Sequence, residues 1–357
     1  MPLKSSKLSW LLLVSLLVVL LSACGKSGEA VPPVDGIAPP QTAVPEETTP
    51  PEPATPAYTA PLTGLPLEEP LTRRPLAIMI NNAPAARPQS GLIDADVVYE
   101  VLAEGGVTRL ISIFHSQPDN AKIGPIRSIR PYMIDLGESY HGVLVHAGAS
   151  NDAYAILQRQ HKEDLDEITN AGSFFWRDKS RKAPHNLYSN VEKLLEGAAK
   201  RGYATEETAV PAYTFYKENE QPISLETANN VEIKFQLDNY RVSYLYDAAT
   251  GQYKRSINGE PHTDLESGEQ LTAANVIVMG ADHQVLDDVG RLDVGLSLGG
   301  EAMLFQQGKV TRAEWIRKDG DIIRFIKDNV ELPMVPGKTF IHVVPNTPDF
   351  SSHVKAE

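Results

Sequence analysis

The chain has 357 residues, one cysteine and a formal net charge of −13, with a pI near 5.2. This acidic balance argues against a nucleic-acid-binding protein and against a polybasic reader of membrane surfaces, because both need a basic surface. A single cysteine also rules out a framework of intrachain disulfides.

The first 24 residues have the layout of a bacterial lipoprotein signal. An apolar run from Leu8 to Leu20 follows Lys4 and Lys7, and it is shorter than the roughly 20 residues that a spanning helix needs. Small residues precede Cys24, as in the lipobox, whose cysteine takes a diacylglyceryl group before cleavage. We therefore predict a signal peptide over residues 1–23 and a lipidated Cys24. Acyl chains such as palmitate would then anchor the protein to the extracytoplasmic face of the cell membrane. An ordinary signal peptide with a chance cysteine and an uncleaved anchor are the alternatives.

Residues 24–74 are rich in proline and poor in large apolar residues. Proline fixes φ and removes a backbone donor, so such a segment samples extended conformations and does not bury a core. We predict a disordered linker that holds the folded part away from the bilayer.

Residues 75–208 are predicted to form an α/β domain. Short β-branched runs bounded by turn residues predict strands, and segments with helical spacing predict helices. The predicted strands cover Leu76–Asn81, Val97–Leu102, Leu110–His115 and Val143–His146. The predicted helices cover Ile129–Tyr140, Asp152–His161 and Val191–Arg201, the last capped by Ser189 or Asn190 and ended at Gly202.

Residues 209–347 are predicted to form a mostly antiparallel β domain, followed by a tail over residues 348–357. Alternating runs predict strands at Val231–Phe235, Val242–Tyr246, Val276–Met279 and Phe340–Val344. Turn signals separate the runs at Thr250-Gly251, Asn258-Gly259, Gly299-Gly300, Gln307-Gly308 and Asp319-Gly320. The expected fold is an α/β N-terminal domain followed by a mostly β C-terminal domain, after a disordered tether.

Six motifs occur in order along the first domain. They are A-R-P-Q-S-G-L (86–92), D-A-D-V-V-Y-E (94–100), E-G-G-V-T-R (104–109), G-P-I-R-S-I-R-P-Y (124–132), H-A-G-A-S (146–150) and A-P-H-N-L-Y (183–188). From about Leu76 to Tyr188 they resemble the YerB-type lipoproteins, a bacterial family of unknown function. The second half, with Asn275–Val278 and the stretch from Gly299 to Trp315, resembles that family's C-terminal domain. The resemblance implies a two-domain envelope lipoprotein and carries no assigned reaction.

The candidate site residues are mainly arginines in loop-like motifs at the ends of predicted strands, where α/β sheets place their sites. A planar guanidinium suits phosphate or carboxylate, so convergence of several arginines would create an anion site. The candidate arginines are Arg87, Arg109, Arg127, Arg130, Arg177 and Arg181. Ser128, His146, Ser150, His185 and Asn186 lie in the same part of the chain and complete the candidate set. Glu100, Glu104 and Asp178 are candidate acidic partners. The alternative is that the arginines form structural ion pairs with these carboxylates and with Asp94 and Asp96.

Two hypotheses about function follow. The favoured one is a non-catalytic lipoprotein, without a cofactor, that binds an anionic envelope ligand or an envelope protein. It predicts that Arg127, Arg130, Arg177, Arg181 and His185 line one cleft.

The alternative is an envelope enzyme acting on a phosphate-containing or lipid-linked glycan substrate. A strand followed by a turn and by arginine entering a helix resembles the LytR-CpsA-Psr wall ligases, although their P-R-D order is absent. A hydrolase could pair Ser128 or Ser150 with His146 or His185, but the chain has no G-x-S-x-G elbow. The histidines also lack the spacing of a metal motif, so we expect no metal.

Overall fold

The computed structural model describes residues 58–116, 121–217, 220–222, 224 and 226–357, which fall in one compact unit. The predicted signal peptide, Cys24 and most of the predicted linker lie outside the described residues. The strands of the first half are β1 (Tyr58–Thr59), β2 (Pro66–Leu67), β3 (Leu76–Asn81), β4 (Val97–Leu102), β5 (Thr108–Phe114), β6 (Val143–His146), β7 (Asp164–Asp166), β8 (Trp176–Arg177) and β9 (Leu187–Tyr188). The α-helices are α1 (Pro131–Glu138), α2 (Asn151–Arg159) and α3 (Val191–Lys200).

The second half is built almost entirely of strands. They are β10 (Asn230–Lys234), β11 (Arg241–Asp247), β12 (Gln252–Ile257), β13 (Glu260–Pro261), β14 (Thr272–Ala273), β15 (Asn275–Ala281), β16 (His283–Val285), β17 (Leu292–Val294), β18 (Gly300–Gln306), β19 (Lys309–Ile316), β20 (Arg324–Lys327), β21 (Val330–Glu331), β22 (Thr339–Pro345) and β23 (Val354–Ala356). Short 3-10 helices cover Pro84–Ala86, Leu92–Asp94, Glu104–Gly106, Gly172–Phe174 and Phe350–His353.

One large mixed sheet runs through both halves of the chain. Its strand order is β21-β20-β19-β18-β15-β22-β4-β5-β3-β6-β7. The late strand β22 pairs in parallel with β15 and with β4, where His342 lies beside Glu100. Strands β3, β4 and β6 run in one direction, with β5 antiparallel between β3 and β4. The carboxyl ends of β3, β4 and β6 therefore share one edge, which we call the carboxyl edge.

Each face of the large sheet buries a separate apolar core. Because side chains alternate along a strand, Val98 and Leu102 of β4 enter one core, while Val97 and Tyr99 enter the other. The second sheet, with the order β13-β12-β11-β10-β23 and β14 paired to β12, contributes to the first core together with α3. Helices α1 and α2 contribute to the second core. Strands buried on both faces have mostly apolar sequences, as β3 and β4 do, with Asn81 and Glu100 as their buried polar residues.

The predicted fold class is confirmed. Strands β3, β4 and β6 have the predicted bounds, and α3 begins after Asn190, whose Oδ1 accepts from the amide of Lys193 at 2.9 Å. At the predicted turn Asn258-Gly259 both residues have positive φ, which tight hairpin turns require.

The structure differs from the predicted boundaries at both ends of the folded part. Ala60 and Leu62 are each 1% exposed, so the folded unit includes residues that composition assigned to the linker. In the predicted tail, Val354 begins β23, which pairs with β10. Helix α1 begins at Pro131, two residues later than predicted, because Ile129 instead bridges to Ala149. Among the described residues, no helix combines the length and apolar character needed to cross a membrane.

Candidate anion-binding site

Two polar side chains lie on one face of the large sheet at its carboxyl edge. Asn81 ends β3, Arg109 is the second residue of β5, and the two are direct partners in the antiparallel ladder. By alternation, Arg109 shares the face of Ile111, and Asn81 shares the face of Met79. This face is the one that α1 and α2 cover.

The G-P-I-R-S-I-R-P-Y motif lies between the ends of β3 and β6. The amide of Arg127 donates to the carbonyl of Met79 at 2.8 Å, and the amide of Ala147 donates to the carbonyl of Arg127 at 3.1 Å. Gly124 has φ of +151°, and a Cβ there would lie 2.6 Å from the carbonyl oxygen of Leu187. A glycine is therefore required where this segment passes β9.

Arg109 is buried, and two of its nitrogens have no acceptor in the described part of the chain. The residue is 7% exposed, and its Nε and Nη1 have no hydrogen-bond partner among the described residues. Burial and the positive charges of Arg130 and Arg127 lower the pKa of Arg109 to about 10. A buried donor without an acceptor costs about 1–3 kcal/mol, so this environment is unfavourable for a guanidinium cation.

Arg127 is a half-buried neighbour of Arg109. Its side chain makes no hydrogen bond or ion pair with the described residues. Burial, followed by the positive charges of Arg130 and Arg177, lowers the pKa of Arg127, although Glu104 acts in the opposite direction. Arg109 and Arg127 are therefore two neighbouring cations that have no direct counterion among the described residues.

Arg130 and Arg177 have carboxylate partners. Arg130 binds Glu104 through both Nε and Nη2, with Nη2 2.8 Å from Oε2. Burial opposes ionisation of Glu104, but the hydrogen bonds and charge of Arg130 hold the pKa of Glu104 below its usual range. Arg177 binds both carboxylate oxygens of Glu167 at 3.0 and 3.1 Å. These four arginines therefore lie near two paired carboxylates, those of Glu104 and Glu167, so the group carries two more positive than negative charges.

The segment from Arg177 to Asn186 lies beside the arginine motif, because the amide of Ile126 donates to the carbonyl of Leu187 at 2.7 Å. Asn186 Oδ1 accepts from Arg177 Nη1 at 3.1 Å. Asn81 Nδ2 lies 2.8 Å from His185 Nδ1, so the amide donates to an unprotonated ring nitrogen. Burial and the charges of Arg127 and Arg181 lower the pKa of His185.

Arg181 is held by backbone carbonyls of a neighbouring loop. Its Nη1 and Nη2 donate to the carbonyls of Ala86 and Pro88 at 2.7 and 2.6 Å, which ties its loop to the A-R-P-Q motif. Asp178 pairs with Lys122 at 2.9 Å and not with a candidate arginine. The structure therefore brings together Arg109, Arg127, Arg130, Arg177 and His185, which we call the arginine site.

His146 is fully buried, with its Nδ1 3.0 Å from the carbonyl of Gly148 and its Nε2 3.3 Å from Asp164. Ser128 donates to the carbonyl of Ala147 at 2.9 Å and does not cap α1, while Ser150 caps α2 by accepting from the amide of Ala153. Neither serine hydrogen-bonds a histidine among the described residues. Within those residues, no group of three or more His, Cys, Asp or Glu side chains is placed to hold a metal ion.

Arg87 and Glu100 belong to the opposite face of the sheet. Glu100 is completely buried, and its Oε2 lies 2.7 Å from Nη2 of Arg255, which is also completely buried. Arg87 donates to Asn82 and lies over the ring of Tyr240, with 4.8 Å from its Cζ to the ring centroid. Neither residue joins the arginine site.

The Glu100–Arg255 pair is the centre of a buried polar network between the two halves. Arg255 Nε donates to His262 Nδ1 at 2.9 Å, and its Nη1 donates to the hydroxyl of Tyr244 at 2.7 Å. Burial disfavours the charged form of Glu100, but Arg255 and the hydrogen bonds from His342 and Tyr240 hold its pKa well below the usual range. This network, in which all three guanidinium nitrogens of Arg255 have acceptors, stabilises the junction of the two sheets.

Sequence reasoning missed Arg255. A readable signal was present, since Arg255 lies between Tyr253 and Ile257 on the inward face of the alternating strand β12. A charged residue at an inward position of such a strand indicates a buried partner.

Comparison with known proteins gives the following matches. Residues 62–204 match the family model described as "Protein of unknown function (DUF3048) N-terminal domain", and residues 231–341 match the corresponding C-terminal domain. The chain is 38% identical over 301 residues to "Putative lipoprotein YerB" of Bacillus subtilis (strain 168), covering 84% of this chain and 89% of that protein. The crystal structure of the YerB protein from Bacillus subtilis matches with a TM-score of 0.75 and 36% identity, covering 84% of this chain and 99% of that chain.

Proposed function

Because the chain belongs to the DUF3048 family, together with YerB of Bacillus subtilis, we propose that it is a membrane-anchored lipoprotein that binds an anionic ligand at the arginine site. The anchor is the lipidated Cys24, on the extracytoplasmic face of the membrane. The ligand carries a phosphate or carboxylate group.

The lipid anchor is supported by two observations. The sequence before Cys24 has the order of a lipobox, and the Bacillus subtilis relative is itself called a putative lipoprotein. Two or more acyl chains give stable attachment to a bilayer, whereas one gives marginal binding. The proline-rich linker would let the folded unit reach ligands at some distance from the membrane surface.

The observation that carries the ligand proposal is the unsatisfied guanidinium of Arg109. A structural arginine at 7% exposure normally has acceptors for its donors, as Arg255 has. Within the part of the chain that the structure describes, Arg109 has no acceptor for Nε and Nη1, and it lies among further cations. An anion bound between Arg109 and Arg127 would accept these donors and neutralise the excess positive charge.

Isothermal titration calorimetry of residues 54–357 with pyrophosphate tests the proposal. Each charge-assisted hydrogen bond contributes about 1.5–3 kcal/mol, so R127A should weaken binding by at least about tenfold. The melting temperature should stay within about 2 °C of the wild-type value, because Arg127 makes no side-chain hydrogen bond with the described residues.

R312A is the matched control. Arg312 is 65% exposed on β19 and pairs loosely with Glu226 at 3.6 Å, so its loss removes the same charge from a different surface. Equal loss of affinity in both variants would mean that the effect of R127A comes from the change in net charge and not from a contact with the anion. Wild-type protein that binds no pyrophosphate, phosphate or carboxylate probe would contradict the proposal.

A further inference from the structure

The side chain of Asn81 fixes which ring nitrogen of His185 carries the proton. Asn81 Oδ1 accepts from the backbone amide of Ala83 at 3.0 Å, so the Nδ2 end of the same side chain faces His185 Nδ1 at 2.8 Å. An amide nitrogen only donates, so His185 Nδ1 accepts, and the proton of the neutral ring lies on Nε2. His185 Nε2 makes no hydrogen bond with the described residues. It is therefore a donor that a ligand can use.

His185 lies among arginines that have no carboxylate partner. Arg127 makes no side-chain hydrogen bond or ion pair with the described residues, and Arg181 donates to two backbone carbonyls. Burial, followed by the positive charges of Arg127 and Arg181, lowers the pKa of His185. The neutral ring is therefore the favoured form at pH 7.5.

The carboxylates of the arginine site do not compete with a bound anion for these donors. Both oxygens of Glu104 accept from Arg130, and both oxygens of Glu167 accept from Arg177. The groups that have no acceptor among the described residues are all donors. They are Nε and Nη1 of Arg109, the guanidinium of Arg127 and Nε2 of His185.

The charge of the arginine site distinguishes between kinds of anion. Its four arginines and two carboxylates leave two excess positive charges. A phosphate monoester carries nearly two negative charges at pH 7.5, because its second pKa is about 6, and it presents three acceptor oxygens. A phosphate diester or a carboxylate carries one negative charge and presents two such oxygens. Only the monoester balances the excess charge.

We propose that the ligand of the arginine site is a terminal phosphate group, as in a phosphate monoester or at the end of a pyrophosphate, and that His185 donates to it through Nε2. This inference rests on the proposed function and names its ligand class. Arg109 and Arg127 bind two of the phosphate oxygens, and His185 binds the third. Asn81 is a positioning residue, because it keeps the proton of His185 on Nε2.

Calorimetry on residues 54–357 at pH 7.5 compares methyl phosphate, dimethyl phosphate and acetate. Dimethyl phosphate differs from methyl phosphate by one methyl group and one negative charge, and it lacks the third charged oxygen. Methyl phosphate should bind at least about tenfold more tightly than either of the other two compounds, because they lose a charge-assisted hydrogen bond.

H185A tests the donor that reads the third oxygen. It should weaken binding of methyl phosphate about tenfold and leave binding of dimethyl phosphate unchanged within about twofold. H161A is the matched control, because His161 is exposed at the end of α2 and makes no side-chain hydrogen bond with the described residues. H161A should leave the affinity for both compounds unchanged.

A lipid head group and a soluble sugar phosphate can both supply a terminal phosphate. Flotation with phosphatidic acid vesicles, which present a monoester, separates these sources. Binding to these vesicles that R127A abolishes assigns the phosphate to a lipid, whereas binding of methyl phosphate without vesicle binding assigns it to a soluble ligand. Both results support the inference. Equal binding to phosphatidylglycerol vesicles, which present a diester, would contradict it.

The outcomes also separate this inference from the proposed function. Equal affinity for methyl phosphate, dimethyl phosphate and acetate would overturn the terminal phosphate and leave the anion site standing. Absence of binding by these compounds and by pyrophosphate would overturn both proposals. Selectivity for methyl phosphate that H185A leaves unchanged would overturn the role of His185.

Discussion

Replacement of Arg109 by methionine should stabilise the ligand-free protein. Methionine is a flexible apolar side chain, somewhat shorter than arginine, with no charge and no donors, so R109M removes the unsatisfied Nε and Nη1 groups and leaves only a small cavity. The fall in the pKa of Arg109 from 12.5 to about 10 corresponds to about 3 kcal/mol, at about 1.4 kcal/mol per pKa unit. Allowing for some lost packing, we expect the free energy of unfolding to rise by about 2 kcal/mol.

Urea unfolding in phosphate-free buffer at pH 7.5 measures this change, and R255M is the matched control. Arg255 is also buried, but all three of its guanidinium nitrogens have acceptors, including Glu100. Removing one partner of such a buried pair costs about 3–5 kcal/mol. The same substitution should therefore have opposite signs at the two arginines.

Ligand binding reverses the order of stability. At a pyrophosphate concentration of 100 times Kd, the wild-type protein should gain about 2.7 kcal/mol, whereas R109M should gain almost nothing. If R109M is destabilised as strongly as R255M, Arg109 has a structural role and the reasoning is wrong.

Three further predictions concern other parts of the chain. Burial and the charge of Arg255 hold the pKa of His262 well below 6.5, and the pKa of Glu100 lies below 4.5. The stabilisation that neutral His262 contributes is complete above pH 6.5 and is lost as pH falls below 6.5. The stabilisation that ionised Glu100 contributes is lost as pH falls below 4.5. The urea concentration at the unfolding midpoint should therefore decrease as pH is lowered below 6.5, and more steeply below pH 4.5. A midpoint that stays constant from pH 7 to pH 4 would contradict this. G124A should destabilise by at least about 2 kcal/mol more than G202A, because both glycines have positive φ but only Gly124 meets backbone within 4 Å. C24A should release the protein from membranes or leave the signal peptide uncleaved. Cell fractionation measures the release, and the mass of the product shows whether the signal peptide is cleaved. Unchanged membrane attachment with a cleaved signal peptide would refute lipidation of Cys24.

The family and the fold class were predicted correctly from the sequence, because their signals are local. Strands β3 and β4 are buried on both faces, so their sequences are apolar apart from Asn81 and Glu100 and have clear ends. The position of β22 beside β4 could not be predicted in the same way. Its pairing joins residues such as His342 and Glu100, more than 200 positions apart, and nothing in either strand specifies the partner.

The candidate site was predicted only in part for a similar reason. Arg127 and Arg181 lie in similar loop motifs, yet Arg181 donates to two backbone carbonyls while Arg127 has no acceptor among the described residues. The difference depends on which loop passes nearby, and residue type does not encode it. That Arg127, Arg130, Arg177 and His185 serve one ligand stays a prediction.

A crystal structure of residues 54–357 grown with saturating pyrophosphate tests the central claim most directly. We expect phosphate oxygens about 2.7–3.2 Å from Nε or Nη1 of Arg109 and from the guanidinium of Arg127, with Glu104 still bound to Arg130. An arginine site without bound anion, in which Glu104 or Glu167 has turned to accept from Arg109, would contradict it.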